Sequence, residues 1–227
     1  MAYEDVIDFT SHPRMVVVRD VEKGRVSDKT RQTGYQERLL CEECENQFSR
    51  YETYASNWLL SAKLPPPKEP RELLYVHKVD DYAKLKLFLM SLLWRVSVAK
   101  GEFFRCVKLG RHEEQLRQML HAQNPGEPDE YGCLITQLLP ENEIPVERFL
   151  AMPAMTRVDG HNGCLLAFRG FAFQYYVSRH RIPEGVRRAF LNRSGEIIIA
   201  RAHPGQIPPL RDLWNRCVRA IRRESHD

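Results

Sequence analysis

A chain of 227 residues, 43% hydrophobic and 28% charged, can bury a sizeable core and is too balanced to be a low-complexity segment. Its longest apolar stretch, 87–94, is interrupted by Ser91 and falls far short of the roughly 20 residues that cross a bilayer, so no membrane partner is expected. The formal charge of +4 hides an asymmetry: residues 113–147 hold eight acidic side chains and one basic one, Arg117, whereas 179–223 hold eleven arginines against Glu184, Glu196 and Asp212.

In chain order, 15–19 reads as a short strand because Val16-Val17-Val18 is strongly β-prone. Residues 22–33 are polar, with Lys23-Gly24 as a turn signal, and 35–40 is a second strand candidate. A helix is predicted over 42–62, since Cys44, Phe48, Tyr51, Ala55, Trp58, Leu59 and Ala62 trace one face in steps of three and four. Residues 63–70 carry four prolines, which fix φ and remove backbone donors, so this extended segment marks the expected domain boundary.

Asp80-Asp81 can cap a helix over 82–99, stopped by Gly101; it is apolar around most of its circumference and belongs at the centre of a core. A shorter amphipathic helix at 111–122 uses Leu116, Met119 and Leu120, and 124–131 is a loop. Strands are predicted at 133–138, 155–158, 165–174 and 197–201, with Asp159-Gly160 and Ser194-Gly195 as turn or hairpin signals. A last helix follows Pro208-Pro209, with Leu210, Leu213, Trp214, Cys217 and Ile221 on its apolar face.

The expected fold class is therefore α+β. A small N-terminal strand-helix, zinc-knuckle-like unit (1–63) precedes an α+β domain (71–227). That domain has a helical part at 80–122, an antiparallel β-rich part at 131–201 and a basic helix at 209–223. Residues 1–8 are acidic and lack an apolar core, so no secretory leader is expected, and the scattered cysteines fit a reducing cytoplasm.

The sharpest chemical feature is Cys41-Glu42-Glu43-Cys44 at a strand-to-helix junction. Two thiolates three residues apart at a helix start can grip one ion, and the helix dipole favours their charge. A closed zinc site needs four ligands; His12, His161 and His203 are the candidates to complete it. Simple packing of the two cysteines is the alternative, and a redox dithiol is a third reading, opposed by Glu42 and Glu43, whose charges raise thiol pKa values. The arginine-rich end implies either contact with the acidic middle or an anionic partner. Arg187, Arg188, Arg193, Arg201, Arg219, Arg222 and Arg223 are the candidate phosphate contacts for DNA or RNA. Phe171, Phe173 and Tyr175 share one face of a strand; core packing is their expected use and base stacking the alternative. Ser178, His180 and Asp159 are present without a nucleophile elbow, and no phosphate-binding glycine loop occurs.

The stretch Gly34-Tyr-Gln-Glu37-Arg-Leu-Leu-Cys41-Glu-Glu-Cys44-Glu45-Asn-Gln-Phe48-Ser-Arg-Tyr-Glu52 resembles a family of largely uncharacterised bacterial proteins related to HNH-type nucleases. The later Leu85-Lys-Leu-Phe-Leu-Met-Ser-Leu-Leu-Trp94-Arg95, Phe103-Phe104 and Leu109-Gly110-Arg-His112-Glu113 look like the same family, so the likeness spans about 15–120. Longer members carry an earlier Cys-x-x-Cys and a Ser-His-x-x-Pro-like motif. Here no cysteine precedes Cys41, and Ser11-His12-Pro13 lies too close to the strand at 15–18 to match that motif. The resemblance implies a degenerate HNH-like protein that binds nucleic acid or a protein partner, as in a bacterial phage-defence or mobile-element system. The alternatives are an active endonuclease using zinc (Zn2+) or magnesium (Mg2+), with ligands completed by distant histidines or by a second subunit in a homodimer, and an interaction subunit without nucleic-acid contact.

Overall fold

The all-round apolar helix forms as the sequence predicts. In the computed structural model, which describes residues 15–18, 29–31, 37, 39–65, 67–141, 145–178 and 180–224, helix α2 (Tyr82–Val98) buries almost every side chain from Leu85 to Ser97. Asp81 caps it, its carboxylate accepting the Lys84 backbone N–H at 2.9 Å. The helix ends when Ala99 turns extended, before Gly101, and the Glu37 carboxylate accepts the N–H groups of Lys100 and Gly101 at 2.9 to 3.1 Å.

Helix α1 (Glu42–Ala62) packs against α2 with the predicted face: Phe48, Tyr51, Ala55, Trp58, Leu59 and Ala62 are buried. One position on that face is not apolar. Glu52 is 6% exposed and pairs with Arg95 of α2, which also donates from Nε to the Ser91 carbonyl at 3.3 Å and lies over the Phe48 ring. Helix α3 (Arg111–His121) adds Leu116 and Leu120 to the same cluster.

Eight strands make one mixed sheet: β1 (Met15–Val18), β2 (Lys29–Arg31), β3 (Leu74–Lys78), β4 (Cys133–Leu138), β5 (Phe149–Val158), β6 (His161–Phe168), β7 (Phe171–Tyr176) and β8 (Glu196–Ala202). Their order is β2-β1-β5-β6-β7-β4-β8-β3. Alternation along β6 and β7 divides the core. Cys164, Leu166, Phe168, Phe171, Phe173 and Tyr175 face α1 and α2, whereas Leu165, Ala167 and Ala172 face helix α5 (Pro208–Glu224), which follows β8 and the one-turn helix α4 (Glu184–Arg187), on the other side. The Tyr175 hydroxyl donates to the Leu89 carbonyl at 3.0 Å, and Trp214 of α5 sits edge-on to Phe149 at 5.3 Å. The aromatics Phe171, Phe173 and Tyr175 are thus core. Among the described residues no helix is long and apolar enough to cross a membrane.

The α+β class holds, with three corrections. The C-terminal sheet is not wholly antiparallel: β5-β6-β7-β4 is, but β4 pairs parallel with β8, and β1 parallel with β5. The β4–β8 pairing follows from the connection between β7 and β8, which carries the chain past β4. The strand predicted at 165–174 is two strands joined by Arg169-Gly170, both at positive φ (53° and 78°), the geometry of a tight hairpin turn. Residues 39 and 40, predicted as part of a strand, lie outside any strand, while β2 and β3 are strands the sequence pattern did not indicate.

The buried Glu52–Arg95 pair yields a test. Glu52→Ala strands a buried guanidinium and is expected to cost about 3 kcal/mol. The double change Glu52→Leu with Arg95→Met recovers most of that. Urea unfolding reads both; an unchanged midpoint for Glu52→Ala would remove the pair from the account of the α1–α2 contact.

Candidate functional site

The start of α3, the 127–131 turn and the chain that follows β7 enclose a cleft of about 340 Å³. Its floor is set by one buried cation. Lys86 is 2% exposed, and its ammonium donates to the carbonyls of Pro128, Glu130 and Tyr131 at 3.1, 2.6 and 3.4 Å. A lysine inside an apolar helix must find such acceptors or lose its charge. Here it fixes the turn and holds Tyr131 at φ 51°. Burial nonetheless pulls the Lys86 pKa down to about 8.

Tyr131 meets α3: its hydroxyl lies 3.1 Å from His112 Nδ1 and the two rings are perpendicular at 5.8 Å. The opposite wall is Tyr176, 2% exposed, held by Phe190 (5.5 Å between rings) and by His161 (5.9 Å). Phe190 can lie there because Gly132 has no side chain; a Cβ on Gly132 would come within 2.3 Å of its ring. Burial pushes the Tyr176 hydroxyl pKa up, with Asp159 adding to the shift. Beyond Tyr176, Ser178 Oγ accepts the His180 N–H at 3.2 Å, and the His180 ring lies 6.5 Å from that of His161. Arg181 and Ile182 complete the rim.

The acidic middle and the arginine-rich end meet around this cleft. Arg193 pairs with Glu127 at 2.6 Å and covers the Tyr82 ring; Arg187 pairs with Asp129 at 3.4 Å. Glu130 turns back to accept the Glu127 N–H at 2.9 Å. The cleft carboxylates are therefore engaged within the protein, whereas exposed Arg181 has no ion-pair partner among the described residues.

The other predicted contacts are dispersed. Arg188 pairs with Glu184 at 3.3 Å. Arg201 is 5% exposed, donating to the Glu72 carbonyl at 3.2 Å beneath Tyr75, and offers no surface to a phosphate. Arg219 is exposed on α5, with Nε donating to the Asn215 carbonyl, and Arg222 and Arg223 occupy the last turn of that helix.

Cys41 is the exposed N-cap of α1 and Cys44 lies one turn in, half-buried. The Cys44 backbone N–H, with its thiol, pulls the Cys41 pKa below the ordinary thiol value; sharing that hydrogen bond raises that of Cys44. His12 lies outside the described residues. His161 stands at the start of β6 and His203 just after β8, and among the described residues no three His, Cys, Asp or Glu side chains are grouped to hold one metal ion. Two thiols supply half of a closed zinc site, so the described residues do not by themselves fit a resident zinc ion.

None of the predicted metal ligands lines the cleft; His161 packs against the ring of Tyr176, which does. Ser178 and His180 were visible as residue types without a motif, and His112 lies in the segment that carries the family resemblance. Lys86 lies in another resemblance segment and Arg181 in the arginine-rich run, but neither was singled out, and Tyr131 and Tyr176 carried no signal of a site. Comparison with protein-family models, curated proteins and solved structures gave no match to this chain.

Lys86 makes a signed prediction. Its pKa falls from 10.5 to about 8 on folding, so between those values the unfolded chain binds more protons and this site's contribution to stability rises with pH. Burial also pushes the Cys133 and Cys164 thiols up, which acts in the opposite direction, but that effect is shared with a Lys86→Met variant and largely cancels in the difference. Wild type should gain about 3 kcal/mol on Lys86→Met between about pH 8 and about pH 10.5. Urea unfolding across that range reads it, and a constant difference would show that Lys86 keeps an ordinary pKa.

Proposed function

We propose that the protein binds nucleic acid, taking backbone phosphates at the cleft rim through Arg181 and His180 and along the exposed basic face of α5. The observation that carries this reading is the pattern of charge commitment. Asp129 pairs with Arg187 and Glu130 accepts the Glu127 N–H, whereas Arg181, exposed on the same rim, has no ion-pair partner among the described residues. A guanidinium with no internal carboxylate at the mouth of a formed cleft suits an anionic oxygen better than any other common ligand. The volume of about 340 Å³ is that of a site for one nucleotide unit rather than for a duplex. The HNH-like resemblance implies the same class of ligand, and Arg211 and Arg219 give α5, on the other side of the sheet, an exposed positive surface of its own.

The contribution of each arginine differs. Arg187 and Arg193 hold the cleft together through Asp129 and Glu127, so their loss disturbs its shape. Arg181 and Arg219 are exposed and have no ion-pair partner among the described residues.

Fluorescence anisotropy with a labelled single-stranded oligonucleotide tests the reading. Affinity should fall steeply between about 50 and about 200 mM salt, as counterion release requires. Arg181→Glu should weaken binding about tenfold or more at low salt, and Arg219→Glu by a smaller factor. Equal binding by wild type and Arg181→Glu would sink the cleft assignment, and no binding at low salt would sink the nucleic-acid reading. Zinc at Cys41 and Cys44 rests on their spacing at the start of α1 and on the resemblance. Metal analysis of protein purified without chelator, alongside Cys41→Ser/Cys44→Ser, decides it: about one zinc per chain lost in the variant means that further residues complete the site.

A further inference from the structure

Near the end of β8 a buried positive charge stands without a counter-charge among the described residues. Arg201 shares a side of the sheet with Ile197 and Ile199, is in register with Gln137 of β4 and is 5% exposed. Its guanidinium lies over the Tyr75 ring, 5.9 Å from the centroid, and Nη1 donates to the Glu72 carbonyl at 3.2 Å. Nε and Nη2 are closed to solvent and have no hydrogen-bond partner. The carboxylates of the turns at this end of the strand are engaged elsewhere: Glu72 accepts the Lys68 N–H at 2.9 Å and Glu141 the Gly205 N–H at 3.2 Å.

The other buried cations are answered. Arg95 has the Glu52 carboxylate, and the Lys86 ammonium has three carbonyls. Arginine side chains stay protonated inside proteins, so here the charge itself needs an answer as well as the hydrogen bonds. Nε–H and one N–H of Nη2 lie parallel along one edge of the planar group, so the two unpartnered donors converge on a single place. A water molecule in that place accepts hydrogen bonds and leaves the charge unbalanced; an anion answers both.

We propose that this edge of Arg201 binds a small carboxylate anion, enclosed on folding, with one oxygen on Nε–H and the other on Nη2–H. The planar pair of carboxylate oxygens matches the two parallel donors. Burial of both nitrogens restricts the ligand to an anion of the size of formate or acetate and keeps out the phosphates of a polymer. The site is independent of the nucleic-acid reading, since Arg201 supplies nothing to the cleft lining.

Urea unfolding of the full chain, with sodium formate replacing sodium chloride at constant ionic strength, tests the site in wild type and Arg201→Met. The wild-type midpoint should rise with formate and level off, with half of the rise reached below about 10 mM. Arg201→Met should show none of that rise. Formate labelled with ¹³C should give a bound NMR signal with wild type and none with Arg201→Met. If the variant fails to fold, Arg201→Lys keeps the charge without the fork and should weaken formate binding about tenfold or more. A wild type indifferent to formate, with Arg201→Met at least as stable throughout, would mean a site that is empty or holds water, and would overturn the proposal. A rise shared equally by both proteins, or half-saturation only above about 100 mM, would reduce formate to an adventitious ion and overturn it as well.

Discussion

The ammonium of Lys86, buried in α2 and bound by three carbonyls of the 128–131 turn, ties the central helix to the mouth of the cleft. Helix α2 is covered on nearly all sides, so any polar group it carries must be answered inside the protein. It carries four. Ser91 and Ser97 return their hydroxyls to carbonyls three residues back, at 2.7 and 2.8 Å. Arg95 is answered by Glu52 from α1. Among the described residues Lys86 has no carboxylate within hydrogen-bond distance and takes backbone oxygens instead, which couples a structural need of the core to the conformation of a surface turn. That coupling makes the turn rigid enough to present Tyr131 to His112.

The charge asymmetry of the sequence is resolved in the same region. An acidic 127–130 and an arginine-bearing 187–193 meet as two ion pairs, each with an exposed or half-exposed partner. Such pairs contribute little stability one by one, typically below about 1 kcal/mol. Their effect here is positional. They pin the long connection after β7 against the turn that Lys86 holds, and they remove Glu127 and Asp129 from the electrostatics of the cleft mouth.

Much of the architecture was legible in the sequence because period and burial agree. Helices α1, α2, α3 and α5 appear within one residue of their predicted starts, since each has an apolar face or apolar circumference that only a helix can bury. The misses have separate physical causes. The Arg169-Gly170 turn lacks the Asn or Asp that usually marks a two-residue hairpin, so two strands read as one. Strand β3 follows the proline segment and exposes its apolar row, inverting the polar-out pattern by which a half-buried strand is recognised. Glu52 and Lys86 sit on apolar faces where a charge looks like an interruption; their partners are 43 residues away or are backbone oxygens more than 40 away, which no local pattern reports. The cleft is assembled from 112–115, 129–131 and 176–182, and it has no local motif because topology rather than sequence proximity brings the pieces together.

That topology also explains why a cleft exists at this end of the sheet. Strand β7 runs antiparallel to β4, and β8 is parallel to β4, so β7 and β8 could have formed a simple hairpin had β4 not lain between them. The chain leaving β7 must instead pass over the beginning of β4 before it can start β8. The Tyr176 N–H donates to the Gly132 carbonyl at 2.9 Å, which marks where the crossing starts. Arg187 and Arg193 then tie the crossing chain down to Asp129 and Glu127, on the far side of the entry to β4. A connection held at both ends over a strand start leaves a hollow beneath it. The side chains that line the hollow come from whatever flanks that start: the 129–131 turn, α3 and the first residues after β7. The parallel pairing of β4 with β8, one of the two that depart from simple antiparallel order, is therefore the feature that creates the site.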